Sequence, residues 1–194
     1  MSLPPFAIPL TTRSADGMIR LYRNYDPATS STDVQMVSAF RGLSEIISMR
    51  RGAGVVVDWK QAGGFLLVGG DSRTIRVWDA HTEAQLLVRA YPTSINAKFI
   101  VHPQILETNS DSPVTAIASE RGPSSVLLAS FADGVIKVFD RRLHEEDAVV
   151  RSFNEHTSWI QNVRWQPHFG NQFLSGRLVS AFVAAFWTAS ELSL

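Results

Sequence analysis

The segment Phe65–Asp79, which reads FLLVGGDSRTIRVWD, decides the fold. A run of small and apolar residues leads into a turn that begins with an aspartate, and the residues after the turn alternate in character. Since side chains of a strand alternate between its two faces, Ile75 and Val77 share one face and Trp78 lies on the other. The segment therefore predicts a β-hairpin that is apolar on both faces and must stack against similar units.

The same pattern returns twice, as DGMIRLY at Asp16–Tyr22 and as VLLASFADGVIKVFD at Val126–Asp140. The Asp-Gly pairs supply tight turns, because glycine tolerates a positive φ and aspartate bonds its own backbone. Helix signals are weak, whereas short runs rich in Val, Ile, Phe and Trp recur between clusters of turn-forming residues. An acid–aromatic–acid strand repeated every few tens of residues is typical of β-propeller blades.

The composition indicates a folded domain and excludes several classes of function. Of 194 residues, 45% are apolar and 19% are charged, which excludes a disordered chain. Lys plus Arg and Asp plus Glu number 18 each, so no basic balance favours nucleic acid. The absence of cysteine excludes disulfides and thiolate zinc sites. The apolar run Leu178–Trp187 is too short for a membrane span of about 20 residues, so we expect no direct membrane insertion.

The sequence resembles the WD-repeat family. The motif that gives the family its name stands at Val77–Asp79 (VWD), and a relaxed form stands at Val138–Asp140 (VFD). Glu155–Trp159 (EHTSW) occupies the place of the family's Gly-His element. The resemblance implies an all-β fold, a partial WD-repeat β-propeller with about two full and two partial blades.

A narrower resemblance is to the raptor family, the scaffold subunits of the target-of-rapamycin kinase complex 1. It is carried by LYRNY at Leu21–Tyr25, VSAFRGLS at Val37–Ser44, RGAGVVVDW at Arg51–Trp59, FDRR at Phe139–Arg142 and HTSWI at His156–Ile160. It implies a non-enzymatic protein-interaction fragment that recruits substrates to this kinase complex in nutrient and growth signalling. Its expected partners are subunits or substrates of the complex, and its expected location is the cytoplasm, including the lysosome or vacuole surface. Two alternatives stay open: a generic WD-repeat interaction module of another pathway, and a propeller hydrolase.

We expect a set of structural repeat positions and no catalytic, cofactor or metal site. The positions are the turn acids, the strand aromatics, the strand-end acids and a histidine in a family position: Asp16, Asp71, Trp78, Asp79, Asp133, Phe139, Asp140 and His156. In the family the turn acid joins a buried network with a histidine, and the histidine partners of Asp71 and Asp133 are missing here. The sequence shows no nucleophile–base pair, no phosphate loop and no ligand-spaced histidines.

Residues 1–176 are predicted to form the partial propeller and residues 177–194 a divergent hydrophobic tail, because no blade motif returns after Gly176. Residues 88–104 are a predicted insertion, since their removal would bring the second and third copies to the usual blade spacing of about 40–45 residues. Both ends of that segment can be encoded as splice-site sequence, so it is either a retained intron or a genuine loop. Two complete and two partial blades leave the ring open, and we expect the isolated chain to self-associate.

Overall fold

The computed structural model describes residues 8–13, 17–25, 34–43, 52–60, 64–79, 84–85, 104–120, 124–167, 172–177 and 185–188. This part of the chain forms fifteen strands in four antiparallel sheets, with one short 3-10 turn at Glu145–Asp147. The predicted all-β partial propeller is confirmed. Within the same ranges, no helix has the length and apolar character needed to cross a membrane.

Blade 1 is a three-stranded sheet in the order β1-β2-β3. Its strands are β1 (Ile8–Arg13), β2 (Met18–Tyr25) and β3 (Gln35–Arg41). Gly17 connects the first two with φ +80°, a left-handed conformation that explains glycine in the predicted Asp-Gly turn. The turn acid Asp16 lies outside the described residues.

Blade 2 contains the predicted hairpin segment Phe65–Asp79. Its first three strands are β4 (Val55–Lys60), β5 (Phe65–Gly70) and β6 (Thr74–Asp79). Two shorter strands, β7 (Ala84–Gln85) and β8 (Gln104–Glu107), both pair with β6 on its outer side. The outer position of this blade is therefore shared by two separate pieces of chain.

The two outer pieces follow each other in register. Gln85 of β7 pairs with Trp78, and Gln104 of β8 pairs with the adjacent Val77. Together they line β6 as one strand would if the residues between them were absent. Of the predicted insertion, residues 88–104, only the last residue lies within the described part, where it begins β8.

Blade 3 is a complete four-stranded sheet in the order β9-β10-β11-β12. Its strands are β9 (Val114–Ser119), β10 (Val126–Phe131), β11 (Ile136–Asp140) and β12 (Val149–Phe153). Its outer strand is continuous, unlike that of blade 2.

Blade 4 is a three-stranded sheet of β13 (Ile160–Trp165), β14 (Gln172–Arg177) and β15 (Ala185–Thr188). The last strand comes from the predicted hydrophobic tail, residues 177–194, and pairs with β14. The described portion of the tail therefore extends the sheet of blade 4, while its other residues after Arg177 lie outside the described residues.

Blades 2 and 3 each contact two neighbouring blades through two different faces. We call the face toward the preceding blade the upstream face and the opposite one the downstream face. In blade 2, Leu66 and Trp78 pack upstream on blade 1, whereas Leu67 and Val77 pack downstream on blade 3. Strand alternation thus places one apolar cluster in each of the three joints between blades.

Candidate functional site: the joints between blades

The turn acid of blade 2 is held by a backbone cradle. Asp71 is buried, and its carboxylate accepts hydrogen bonds from the backbone N–H groups of Ala53 (2.6 Å) and Gly54 (3.0 Å). The N–H of Asp71 in turn donates to the carbonyl oxygen of Gly54 at 3.0 Å. A Cβ at Gly52 would overlap the Asp71 carboxylate. Successive backbone N–H groups that face an anion thus take the place of the missing histidine.

The turn acid of blade 3 has a different environment. Asp133 is exposed, and among the described residues only the N–H of Val135 donates to its carboxylate, at 3.0 Å within the same turn. The neighbouring Gly134 has φ +95°, and a Cβ there would overlap the carbonyl oxygen of His156. Asp133 therefore stabilises its own turn and takes no part in a buried network.

The strand aromatics fill the joints. Trp78 is 7% exposed, and its ring centroid lies 4.2 Å from that of Phe40 in blade 1. Phe139, at the equivalent place in blade 3, is fully buried in the joint with blade 2. The buried indole N–H of Trp78 has no acceptor among the described residues, so this joint is held by packing and not by a family-type hydrogen-bond network.

The two strand-end acids are Asp79 and Asp140. Asp79 ends β6 and pairs through its backbone with Phe65, while its side chain lies outside the described part. Asp140 is buried, and the Arg142 guanidinium donates to its carboxylate at 2.6 Å. These hydrogen bonds hold the pKa of Asp140 below its ordinary value.

His156 and Ser175 form a pair that sequence reasoning missed. His156 Nε2 lies 2.7 Å from Ser175 Oγ, and both side chains are buried. Burial, followed by the nearby positive charge of Arg177, lowers the pKa of His156. The two residues are 19 apart in sequence, and they meet because the segment before β13 lies beside β14, so no local pattern indicates the contact.

A row of polar contacts links the inner strands of neighbouring blades. The Asp58 carboxylate in blade 2 accepts hydrogen bonds from the N–H (2.7 Å) and the hydroxyl (2.6 Å) of Ser119 in blade 3. At the next joint, the indole of Trp165 in blade 4 donates to the carbonyl oxygen of Ala118 at 3.0 Å. The sequence gives no local signal for these bonds, because each partner belongs to a different blade.

Two basic residues make contacts within the joint of blades 2 and 3. Lys60 is buried, donates to the carbonyl oxygen of Ser124, and has a pKa lowered chiefly by burial. The Arg141 guanidinium stacks 4.6 Å from the ring centroid of Phe65, and its Nε donates to Gln104 at 3.0 Å. Both cations therefore contribute contacts within this joint.

The described surface includes one shallow site near the turn after β8. An open depression of 280 Å³ is lined by Arg73, Glu107, Asn109, Ser110 and Asp111. An ion pair of 2.6 Å between Arg73 and Asp111 lies within it. No group of three or more metal-ligating side chains occurs among the residues with described positions.

Four sheets that pack through alternate faces around acidic hairpin turns define part of a WD-repeat β-propeller. Residues 51–79 match the family model for the WD domain, G-beta repeat. This segment contains both the glycine cradle and the strand that carries Trp78.

The particular relatives are raptor-type proteins. The chain is 33% identical over 171 residues to the target of rapamycin complex 1 subunit KOG1 of Saccharomyces cerevisiae, and 34% identical over 169 residues to the subunit mip1 of Schizosaccharomyces pombe. Each match covers 86% of this chain and 10% or 11% of the relative. The crystal structure of Chaetomium thermophilum Raptor superimposes with a TM-score of 0.68 at 28% identity, covering 94% of this chain and 15% of that one. The chain thus resembles raptor and spans about a tenth of the length of the curated relatives it matches.

Proposed function

We propose that the chain is a non-enzymatic scaffold segment that binds protein subunits or substrates of the target-of-rapamycin kinase complex 1. The observation that carries the proposal is the similarity to two subunits of that complex over 86% of the chain. The joints between blades also support this proposal, since the charged and aromatic side chains described there contact residues of the neighbouring blade. A rigid stack of this kind presents loops and strand edges to other proteins without chemistry of its own.

A hydrolase is the alternative from a different class, and the His156–Ser175 pair has the spacing of a base and its nucleophile. Burial argues against this activity, because substrate would have to reach the hydroxyl of Ser175, a residue that is 1% exposed. A screen of ester, peptide and phosphate hydrolysis with the purified chain tests the point. We expect no turnover, and turnover that disappears in a His156→Ala variant would contradict the proposal.

Affinity purification of the tagged chain from cells that contain the kinase tests the scaffold role. We expect the target-of-rapamycin kinase in the eluate, and its loss with a Trp78→Ala variant whose first joint is disrupted. Enrichment of other proteins without the kinase would favour the generic WD-repeat module. The chain has neither a basic balance nor an apolar run long enough to span a bilayer, so we propose no nucleic-acid partner and no membrane insertion.

We further propose that the chain works in the cytoplasm, including the surface of the lysosome or vacuole, and that it self-associates when isolated. Fluorescence microscopy of the tagged chain, scored against a lysosome or vacuole marker, tests the location. Signal confined to another compartment would contradict it.

A further inference from the structure

Two cations lie without an acidic partner at one end of the joint between blades 2 and 3. Lys60 ends β4 and is 8% exposed, and its ammonium group donates to the carbonyl oxygen of Ser124. Arg141 follows β11, and its guanidinium lies over the ring of Phe65 in blade 2. Among the described residues, neither cation forms an ion pair with a carboxylate.

The two positive charges are close enough to oppose each other. Burial lowers the pKa of Lys60 most, and the charge of Arg141 lowers it further. The carboxylates of Glu120 and Asp58 act in the other direction with smaller effects. The Asp58 carboxylate already accepts hydrogen bonds from the N–H (2.7 Å) and the hydroxyl (2.6 Å) of Ser119. An anion placed beside two like charges in a partly dry joint would therefore be stabilising.

Ser124 places a hydroxyl at this end of the joint. It is half-buried and lies between β9 and β10, outside both strands. Its carbonyl oxygen accepts from Lys60, and the carbonyl oxygen of Ser125 accepts from the backbone N–H of Arg141 at 3.1 Å. Its Oγ accepts from the N–H of Val126 at 3.1 Å. Both cationic residues are thus bound to the two-residue segment that contains this hydroxyl.

We propose that Ser124 is a phosphorylation site, and that its phosphate pairs with Lys60 and Arg141 and so ties blade 3 to blade 2. In the sequence, Arg121 stands three residues before Ser124, and charged residues at fixed distances from the acceptor are what kinases select in their substrates. This inference goes beyond the proposed scaffold role and does not depend on it.

The reaction is phosphoryl transfer from ATP by a serine kinase that recognises a basic residue. A bond forms between Ser124 Oγ and the γ-phosphorus, and the bond between the β- and γ-phosphates breaks. ADP leaves, and the hydroxyl proton passes to the catalytic base of the kinase.

The phosphate supplies the anion that the joint lacks. A phosphoserine carries a charge of about −1.5 to −2 at pH 7 and three strong acceptor oxygens. Opposite a guanidinium and an ammonium group, these oxygens accept charge-assisted hydrogen bonds. Lys60 belongs to blade 2 and Ser124 precedes the second strand of blade 3, so the new bonds cross the joint.

Mass spectrometry tests the modification itself. The tagged chain, isolated from cells treated with phosphatase inhibitors, should carry phosphate on Ser124, and a Ser124→Ala variant should lose that phosphopeptide. No phosphate at this position, or a phosphopeptide that persists in the variant because Ser125 carries the group, would overturn the assignment.

Thermal melts test the contact across the joint. Phosphoserine incorporated at position 124 during synthesis of the full chain should raise the melting temperature by about 3 °C or more. The rise is measured within each background, so the contribution of Lys60 to the unmodified chain cancels. A Lys60→Gln background should lose at least about half of the rise, whereas Lys60→Arg, which keeps the cation, should retain it. No rise in the unmodified background, or equal rises with Gln and Arg, would overturn the contact.

Ser112 is the matched control position. It is also half-buried and outside a strand, but it follows Asp111, whose carboxylate already pairs with Arg73 at 2.6 Å. Phosphoserine at position 112 should therefore leave the melting temperature unchanged or lower it. An equal rise at both positions would overturn the proposal.

A further arm separates phosphoserine from a free anion. Inorganic phosphate added to the unmodified chain at millimolar concentration should give no comparable rise, because only covalent attachment at Ser124 holds the anion beside both cations. An equal rise with inorganic phosphate would assign the cations to a free anion and overturn the proposal. These melts use the purified chain alone, so their failure and the failure of the scaffold role are distinguishable.

Discussion

Blades 2 and 3 carry the same fifteen-residue motif, at Phe65–Asp79 and Val126–Asp140, and use it differently. In blade 2 the turn acid is buried in a backbone cradle, whereas in blade 3 it is exposed and accepts a hydrogen bond within its own turn. The outer strand of blade 2 is built from two pieces and that of blade 3 from one. The motif specifies a hairpin, and the segment packed beside the turn decides what its acid does.

We expect the largest change in stability at Trp78, the position where blade 3 has Phe139 instead. Trp78→Ala should lower the free energy of unfolding by about 3–5 kcal/mol, as truncation of a buried aromatic residue does. Urea denaturation followed by circular dichroism measures it. Trp78→Phe is the control: blade 3 has Phe139 at this position, and the change removes a buried N–H without a described acceptor. We expect it to cost less than about 2 kcal/mol. Equal costs for both variants would show that packing in this joint is not what Trp78 provides.

The next effect separates the two turn acids. Asp71→Ala leaves two partly buried N–H groups without their charged acceptor and should cost about 2–3 kcal/mol. Asp133→Ala should cost less than about 0.5 kcal/mol, because its side chain is exposed. Thermal melts of the two variants measure both costs. Equal losses of stability would show that the two turn acids have equivalent roles.

Gly52→Ala sharpens the same prediction. It should destabilise the unmodified chain, because the new methyl group overlaps the Asp71 carboxylate, and do little in an Asp71→Ala background. Additive costs in the double variant would place the effect of Gly52 elsewhere.

A smaller effect is expected from making the outer strand of blade 2 continuous. Deletion of residues 86–103 joins Gln85 directly to Gln104 and preserves the register of both with β6. The free energy of unfolding should stay within about 1 kcal/mol of the full chain, since loop length changes closure entropy slowly. Loss of the cooperative unfolding transition would show that the removed residues are needed for folding.

The smallest effect concerns pH. The pKa of folded His156 lies below its ordinary value of 6.5, through burial and the charge of Arg177, with Glu155 opposing. As the pH falls below the ordinary value, the unfolded chain binds this proton first, so stability decreases toward the lowered folded pKa. Melts at pH 7.5 and 5.5 should therefore differ less for His156→Gln than for the unmodified chain. An unchanged difference would assign the pH dependence to other groups.

Sequence patterns predicted the hairpins and the apolar faces because both depend on local alternation. The segment Phe65–Asp79 forms the predicted hairpin from β5 and β6, and Ile75 and Val77 are buried together as alternation requires. Contacts between residues far apart in sequence were out of reach, since nothing near Asp71 in sequence indicates that Ala53 and Gly54 would face it. The division of the outer strand of blade 2 into β7 and β8 was not predicted for the same reason, since β8 begins at the end of the predicted insertion.

The central claim is that the segment packed beside the turn makes the turn acid structural in blade 2 and not in blade 3. Amide hydrogen exchange, measured residue by residue by NMR, tests this claim most directly. The N–H groups of Ala53 and Gly54 should exchange slowly, because the buried Asp71 carboxylate accepts from both. In an Asp71→Ala variant their exchange should accelerate, while the N–H of Val135, bound to exposed Asp133, should stay unchanged. Fast exchange at Ala53 and Gly54 in the unmodified chain, or no response to the loss of Asp71, would contradict the account.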